Sequence, residues 1–194
     1  MIMTIDFILD ISCLWSYIVW RQLQVSLREC AVQAKITPFF VSSGSFFAGF
    51  DISPADKARM LEERARPLLE QNGLFVDFDR LPALSGDLSV PCQLIRVAFA
   101  EKKYTVLDDV FATFFAFGQD FTAPEVIAPI AARNGLERKP FSVFRSLPAG
   151  MPEGLRAVPC LIFNKSMVLF GAQSVPCLKN ILYLSRQIQK ENGF

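Results

Sequence analysis

The chain has 194 residues, 52% apolar and 20% charged, with 19 Phe: enough for a packed core without disulfide or metal staples, and too apolar for disorder. Twenty basic against 19 acidic side chains leave a net charge of +1 and no electrostatic footprint for nucleic acid. Histidine is absent, which removes Ser-His-Asp and Cys-His catalysis, an HExxH metal site and any imidazole proton shuttle.

Residues Met3 to Ile11 (MTIDFILDI) are short, apolar and β-branched, and predict a buried strand. Asp6 and Asp10, near its ends, are expected in solvent. A helical pattern runs from Cys13 to about Val32, and Lys35 to Val41 (KITPFFV) predicts a second strand, with Pro38 implying an edge or a bulge. After an aromatic loop at Ser42 to Phe50, Ser53-Pro54-Ala55-Asp56 reads as a helix start, with Asn72-Gly73 as its stop and Pro67 as a candidate kink. Lys57, Arg59, Glu62, Glu63, Arg64 and Arg66 form an exposed mixed-charge face of that helix.

Pro91 opens a further helix, to about Lys102. Thr105-x-x-Asp108 caps another that takes in Phe111, Phe114, Phe115 and Phe117, read as helix core. Pro124-Glu125 opens a last one, ending at Asn134-Gly135. Residues 141–156 are broken by proline and glycine. Pro159 to Phe163 and Met167 to Phe170 predict a hairpin around Asn164-Lys165, and Val175 to Gln189 a final amphipathic helix. The order is β-α-β, a helical block, then β-β-α. It implies an α/β fold of thioredoxin topology, with residues 1–45 and 145–194 as one domain and 46–144 as a helical insertion.

Five cysteines, Cys13, Cys30, Cys92, Cys160 and Cys177, contain no C-x-x-C pair, so a zinc ribbon and a dithiol motif are both absent and no metal is expected. Their odd number does not suggest a secreted disulfide framework. The N-terminus lacks a basic region, and no run approaches the ~18 apolar residues of a membrane span. A reducing cytoplasm and no membrane partner are the expectation.

Cys13 follows a buried strand and opens a helix. The first amides of a helix lack partners, and the helix dipole adds positive potential there, so a thiolate at Cys13 is expected to be stabilised and its pKa lowered. Ser16, three residues on, can donate a hydrogen bond to that sulfur but cannot act as a resolving thiol. The plainer alternative is a structural cysteine with Ser16 as an ordinary first-turn residue. Cys30, Cys92 and Cys177 read as packing residues.

The segment IDFILDISCLWSYIVWRQL, with Asp10 followed by Cys13-Leu14-Trp15-Ser16-Tyr17, resembles the opening of the DsbA-like branch of the thioredoxin superfamily. Near relatives there are the 2-hydroxychromene-2-carboxylate isomerases and the kappa-class glutathione transferases. AVPCLIFNKSMVLFGAQ resembles that group's later block through Val158, Pro159, Asn164, Gly171, Ala172 and Gln173. The resemblance implies a cis Val158-Pro159 bond facing Cys13, with the Val158 backbone free to pair with a peptide or with glutathione. It also implies substrate or glutathione contacts at Trp15, Val158, Gln173 and Ser174. Gln173 has a competing reading as a turn residue capping the last helix.

The motif is mixed. Cys13 matches the redox enzymes and Ser16 the isomerases and transferases, while Leu14 replaces the usual Pro. In the stretch Val90 to Arg96 only Arg96 is kept of a polar pattern common in the relatives. Without a second motif thiol, Cys13 could still form a mixed disulfide resolved by an external thiol. Cys160, next to Pro159, is the one internal alternative.

Three functions follow. The first is a thiol-dependent oxidoreductase with Cys13, Ser16 and Pro159 in the catalytic site. The second is a glutathione-dependent isomerase or transferase, with glutathione as cosubstrate. The third is a non-catalytic binding protein on the same fold. The expected partner is a small thiol or disulfide, and the apolar composition suggests a homodimer.

Overall fold

The computed structural model describes residues 2–41, 54–136 and 157–191. The loop at Ser42 to Phe50, the helix cap at Ser53 and the proline-broken stretch 141–156 lie outside them. The chain divides into two compact units, Met1–Phe46 with Pro148–Phe194 and Phe47–Leu147.

In the first unit, strand β1 (Met3–Leu9) is buried on both faces over Phe7, Ile8 and Leu9, which its unbroken apolar run requires. It pairs in parallel with β2 (Ala34–Phe40) from Met3 opposite Ala34 to Leu9 opposite Phe40. Helix α1 (Leu14–Glu29) makes the crossover between them. Strand β3 (Cys160–Phe163) runs antiparallel to β1, with Cys160 opposite Ile8, and β4 (Met167–Phe170) runs antiparallel to β3. The sheet order is β2-β1-β3-β4, so Pro38 sits on an outer strand, where its missing N–H is tolerated.

The two faces of the sheet differ. On one, Phe7 stacks on Trp20 of α1 with ring centroids 6.0 Å apart. On the other, Ile8, Phe39, Cys160 and Ile162 form a buried cluster, with Val41 and Val158 packed against it. Helix α6 (Val175–Glu191) packs on α1, and Lys179 pairs with Glu29 at 2.9 Å. The β3–β4 turn places Asn164 and Lys165 at φ 49° and 59°, a left-handed pair for which Asn is suited. Asn164 then links three elements. Its Oδ1 accepts the Thr4 N–H at 3.0 Å, and its Nδ2 donates to Ser185 Oγ at 2.9 Å.

The second unit is helical where described: α2 (Pro54–Gln71), a 3-10 turn at Phe78–Arg80, α3 (Ser89–Ala100), α4 (Thr105–Phe115) and α5 (Pro124–Arg133). Its aromatic core includes Phe114, edge-on to Phe115 at 5.0 Å and tilted against Phe121 at 5.3 Å. Asp120 stitches two loops: it accepts the backbone N–H groups and the hydroxyls of both Ser85 and Thr122.

Several local expectations change. Helix α1 ends at Glu29 rather than near Val32, because Ala31 adopts φ 49° and Val32 N–H turns back to Leu27 O at 2.9 Å. Helix α4 stops at Phe115, and Phe117 lies beyond it, 61% exposed, because Gly118 takes φ 61° and terminates the chain's helical path. Thr105 is not a cap: its hydroxyl donates to Asn134 Oδ1 at 3.1 Å. Helix α2 continues through Pro67. Cys92 is buried, whereas Cys30 and Cys177 are partly exposed.

Candidate active site

Strand β1 delivers the chain to its C-terminal end, and the next residues turn into α1. Asp10 organises that turn. It is 2% exposed, against the expectation of a solvated strand-end carboxylate, and its burial is compensated by local donors. Its Oδ1 accepts both the backbone N–H and the hydroxyl of Ser12, each at 2.7 Å. Its carbonyl accepts the Cys13 N–H at 3.0 Å. Cys13 is then the N-cap of α1, with extended backbone (φ −93°, ψ 118°), and its carbonyl accepts the first helical N–H groups, from Ser16 at 3.0 Å and Tyr17 at 3.2 Å.

Ser16 is wholly buried. Its Oγ accepts the Asp10 N–H at 3.3 Å and its hydroxyl donates to the Cys13 sulfur. The backbone N–H groups of Ser16 and Trp15, in the same first turn, also favour the ionised sulfur, although the Ser16 N–H is held by the Cys13 carbonyl and the sulfur forms no capping hydrogen bond. Trp15 is partly exposed beside it.

These donors favour a thiolate but do not win. Cys13 is partly exposed, yet its sulfur lies deep enough for burial to push its pKa above the ordinary value, with a smaller push from the Asp10 charge. The expected lowering is therefore corrected. The Ser16 hydroxyl and the nearby amides offset desolvation only in part. The sequence could show the position of Cys13 at a strand–helix junction, but not the depth of its sulfur.

The remaining candidates gather at the same end of the sheet. Since Cys160 lies opposite Ile8 and Phe170 opposite Cys160, β3 begins and β4 ends where β1 ends. Val158 and Pro159 enter there, the bond between them is cis, and Pro159 O accepts the Gly171 N–H at 2.8 Å. Val158 forms no backbone hydrogen bond to another described residue. Gln173 and Ser174 follow β4. Gln173 Nε2 donates to Phe170 O at 3.0 Å, and Ser174 Oγ accepts the Cys177 N–H at 3.4 Å at the start of α6, so both have partners within the chain. Cys160 is fully buried in its apolar cluster, which pushes its thiol up to about 11.

Arg96 lies in α3 of the second unit. Among the described residues no cluster of Cys, Asp and Glu side chains suits a metal ion. Sequence reasoning missed the part played by Asp10, although Asp-x-Ser is a recognisable turn pattern.

Residues 4–183 match the DSBA-like thioredoxin domain. The chain belongs to that family. At this level its activity is of the oxidoreductase type. The fold agrees with two crystal structures, each 15% identical in sequence. One, assigned as a DsbA oxidoreductase of Streptomyces coelicolor, superposes with a TM-score of 0.69 over 95% of this chain and 90% of its own. The other, assigned as a protein disulfide isomerase of Nitrosomonas europaea, gives a TM-score of 0.66 over 96% of this chain and 98% of its own. No curated protein matches the chain significantly.

Proposed function

We propose that this DsbA-like protein is a monothiol oxidoreductase in which Cys13 exchanges with a small disulfide such as glutathione disulfide. The observation that carries the reading is a partly exposed thiol at the N-cap of α1, at the strand end where the cis Val158-Pro159 segment also enters the sheet. In the forward step Cys13 loses its proton to solvent and attacks one sulfur of the disulfide. A protein–glutathione disulfide forms and one glutathione thiolate leaves, taking up a proton. An acceptor thiolate other than glutathione then attacks the glutathione sulfur of the mixed disulfide, releasing the Cys13 thiolate and leaving as a new mixed disulfide with glutathione, so that overall glutathione disulfide is reduced and the acceptor thiol oxidised. The Val158 backbone supplies a pairing edge for the peptide part of the ligand.

Ser16 cannot resolve the mixed disulfide. The buried Cys160, with its thiol up to about 11, is poorly suited to do so, which favours an external thiol. The test is treatment with glutathione disulfide followed by peptide mass analysis. A glutathione adduct on the Cys13 peptide, absent in Cys13→Ala, is expected. Complete lack of that adduct in the wild-type protein refutes the reading.

A second reading draws on the raised Cys13 pKa. A neutral thiol is a hydrogen-bond donor, so Cys13 together with Ser16 would hold the thiolate of bound glutathione in an isomerase or transferase. Calorimetry with reduced glutathione separates the two: saturable binding in the millimolar range supports this reading, and no heat rejects it.

A further inference from the structure

We propose that Asp10 is the positioning residue of the Cys13 site, tying the strand end, the turn that presents the nucleophile and the Ser16 hydroxyl into one unit; the inference rests on reading Cys13 as the reactive thiol. The N-cap of α1 is Cys13 itself, and its side chain caps nothing. A helix start normally depends on a Ser, Thr, Asp or Asn at that position. Here Asp10, three residues upstream, instead holds the turn that leads into the helix. The Asp10 carboxylate holds the Ser12 N–H and hydroxyl, its carbonyl holds the Cys13 N–H, and its own N–H holds Ser16 Oγ. That last bond occupies an acceptor site of the hydroxyl and so directs its proton toward the Cys13 sulfur.

The position also argues for a purpose. Asp10 is as buried as the apolar residues Leu9 and Ile11 that flank it, where an ionisable group is costly. Its charge acts on Cys13 as well. Among the described residues it is the charged group bearing on that sulfur, and it opposes the thiolate that the hydrogen bonds favour. One residue thus builds the site and restrains its ionisation.

Asp10→Asn and Asp10→Ala separate the two effects. Asn keeps an oxygen for the Ser12 N–H but loses the charge; Ala loses both. The readout is the pH dependence of Cys13 alkylation by iodoacetamide, followed on the Cys13 peptide by mass analysis, with folding checked by circular dichroism. Asp10→Asn is expected to move the midpoint down by about 0.5 to 1 pH unit, and Asp10→Ala to sit above Asp10→Asn by a similar interval. An Asp10→Asn midpoint at or above the wild-type value, or coincident midpoints for the two variants, overturns the proposal. If Asp10→Ala does not fold, Ser12→Ala replaces it: a midpoint above wild type is expected, and an unchanged one overturns the proposal. The wild-type glutathione adduct is measured alongside. Its absence refutes the oxidoreductase reading while leaving the alkylation comparison intact.

Discussion

Replacing Ser16 with Ala removes one oxygen that performs two tasks. The hydroxyl is wholly buried, accepts the Asp10 N–H at 3.3 Å and donates to the Cys13 sulfur. Loss of the acceptor removes a buried hydrogen bond and should cost about 0.5–1.5 kcal/mol of folding stability. Loss of the donor removes the hydroxyl that favours the thiolate. At about 1.5 kcal/mol for a bond to a charged group, the thiolate fraction at pH 7 falls roughly tenfold. The remaining thiolate is more basic and more nucleophilic, which recovers about half of that loss on a logarithmic scale. Alkylation of Cys13 at pH 7 should therefore slow about 3-fold. The assay pairs iodoacetamide kinetics on the Cys13 peptide with urea unfolding. An Ala variant with wild-type alkylation and a wild-type urea midpoint would refute the placement of this hydroxyl between Asp10 and Cys13.

Cys13 reactivity should keep rising with pH up to at least about 9, because burial holds its pKa above the ordinary 9.0; stopped-flow alkylation that levels off below pH 8 contradicts this. The four donors on Asp120 hold its pKa at about 2, below the ordinary 3.8, so its contribution is present above pH 4 and lost as the pH falls toward 2. Discounted for partial exposure, that contribution is about 1–2 kcal/mol, and urea midpoints of wild type and Asp120→Asn should converge over this interval. Gly118→Ala should destabilise by about 2–4 kcal/mol, since a Cβ there would lie 2.5 Å from Arg80 O at φ 61°. Gly73→Ala, at φ 60° with open space, should cost only about 1 kcal/mol; equal losses at the two glycines would show that the clash is relieved. Cys160→Ala should leave the Cys13 glutathione adduct intact, and loss of turnover without loss of the adduct would make Cys160 the resolving thiol.

Much of this was legible in the residues. The apolar run of β1, the Pro124 start of α5 and the Asn164-Lys165 turn each follow from local chemistry, and the structure has them at Met3–Leu9, Pro124–Arg133 and the φ 49°/59° pair. Helix ends were less legible. Ala31 at φ 49° stops α1 without the glycine that usually marks such a stop. Phe117 looked like core by composition, but its exposure depends on where Gly118 turns the chain.

For the site, order along the chain was enough to put Cys13 at a helix start and Ser16 one turn later, because a thiol and a hydroxyl three residues apart must share the first turn. Whether that sulfur ionises was not in the sequence. It depends on desolvation, on the Asp10 charge and on the Ser16 hydroxyl and the nearby amides, all set by how β1, the turn and α1 pack. Periodicity and turn chemistry are properties of neighbours in sequence; the depth of a sulfur and the strand end it shares with Pro159 are properties of residues about 150 apart in the chain, and only the folded sheet decides them.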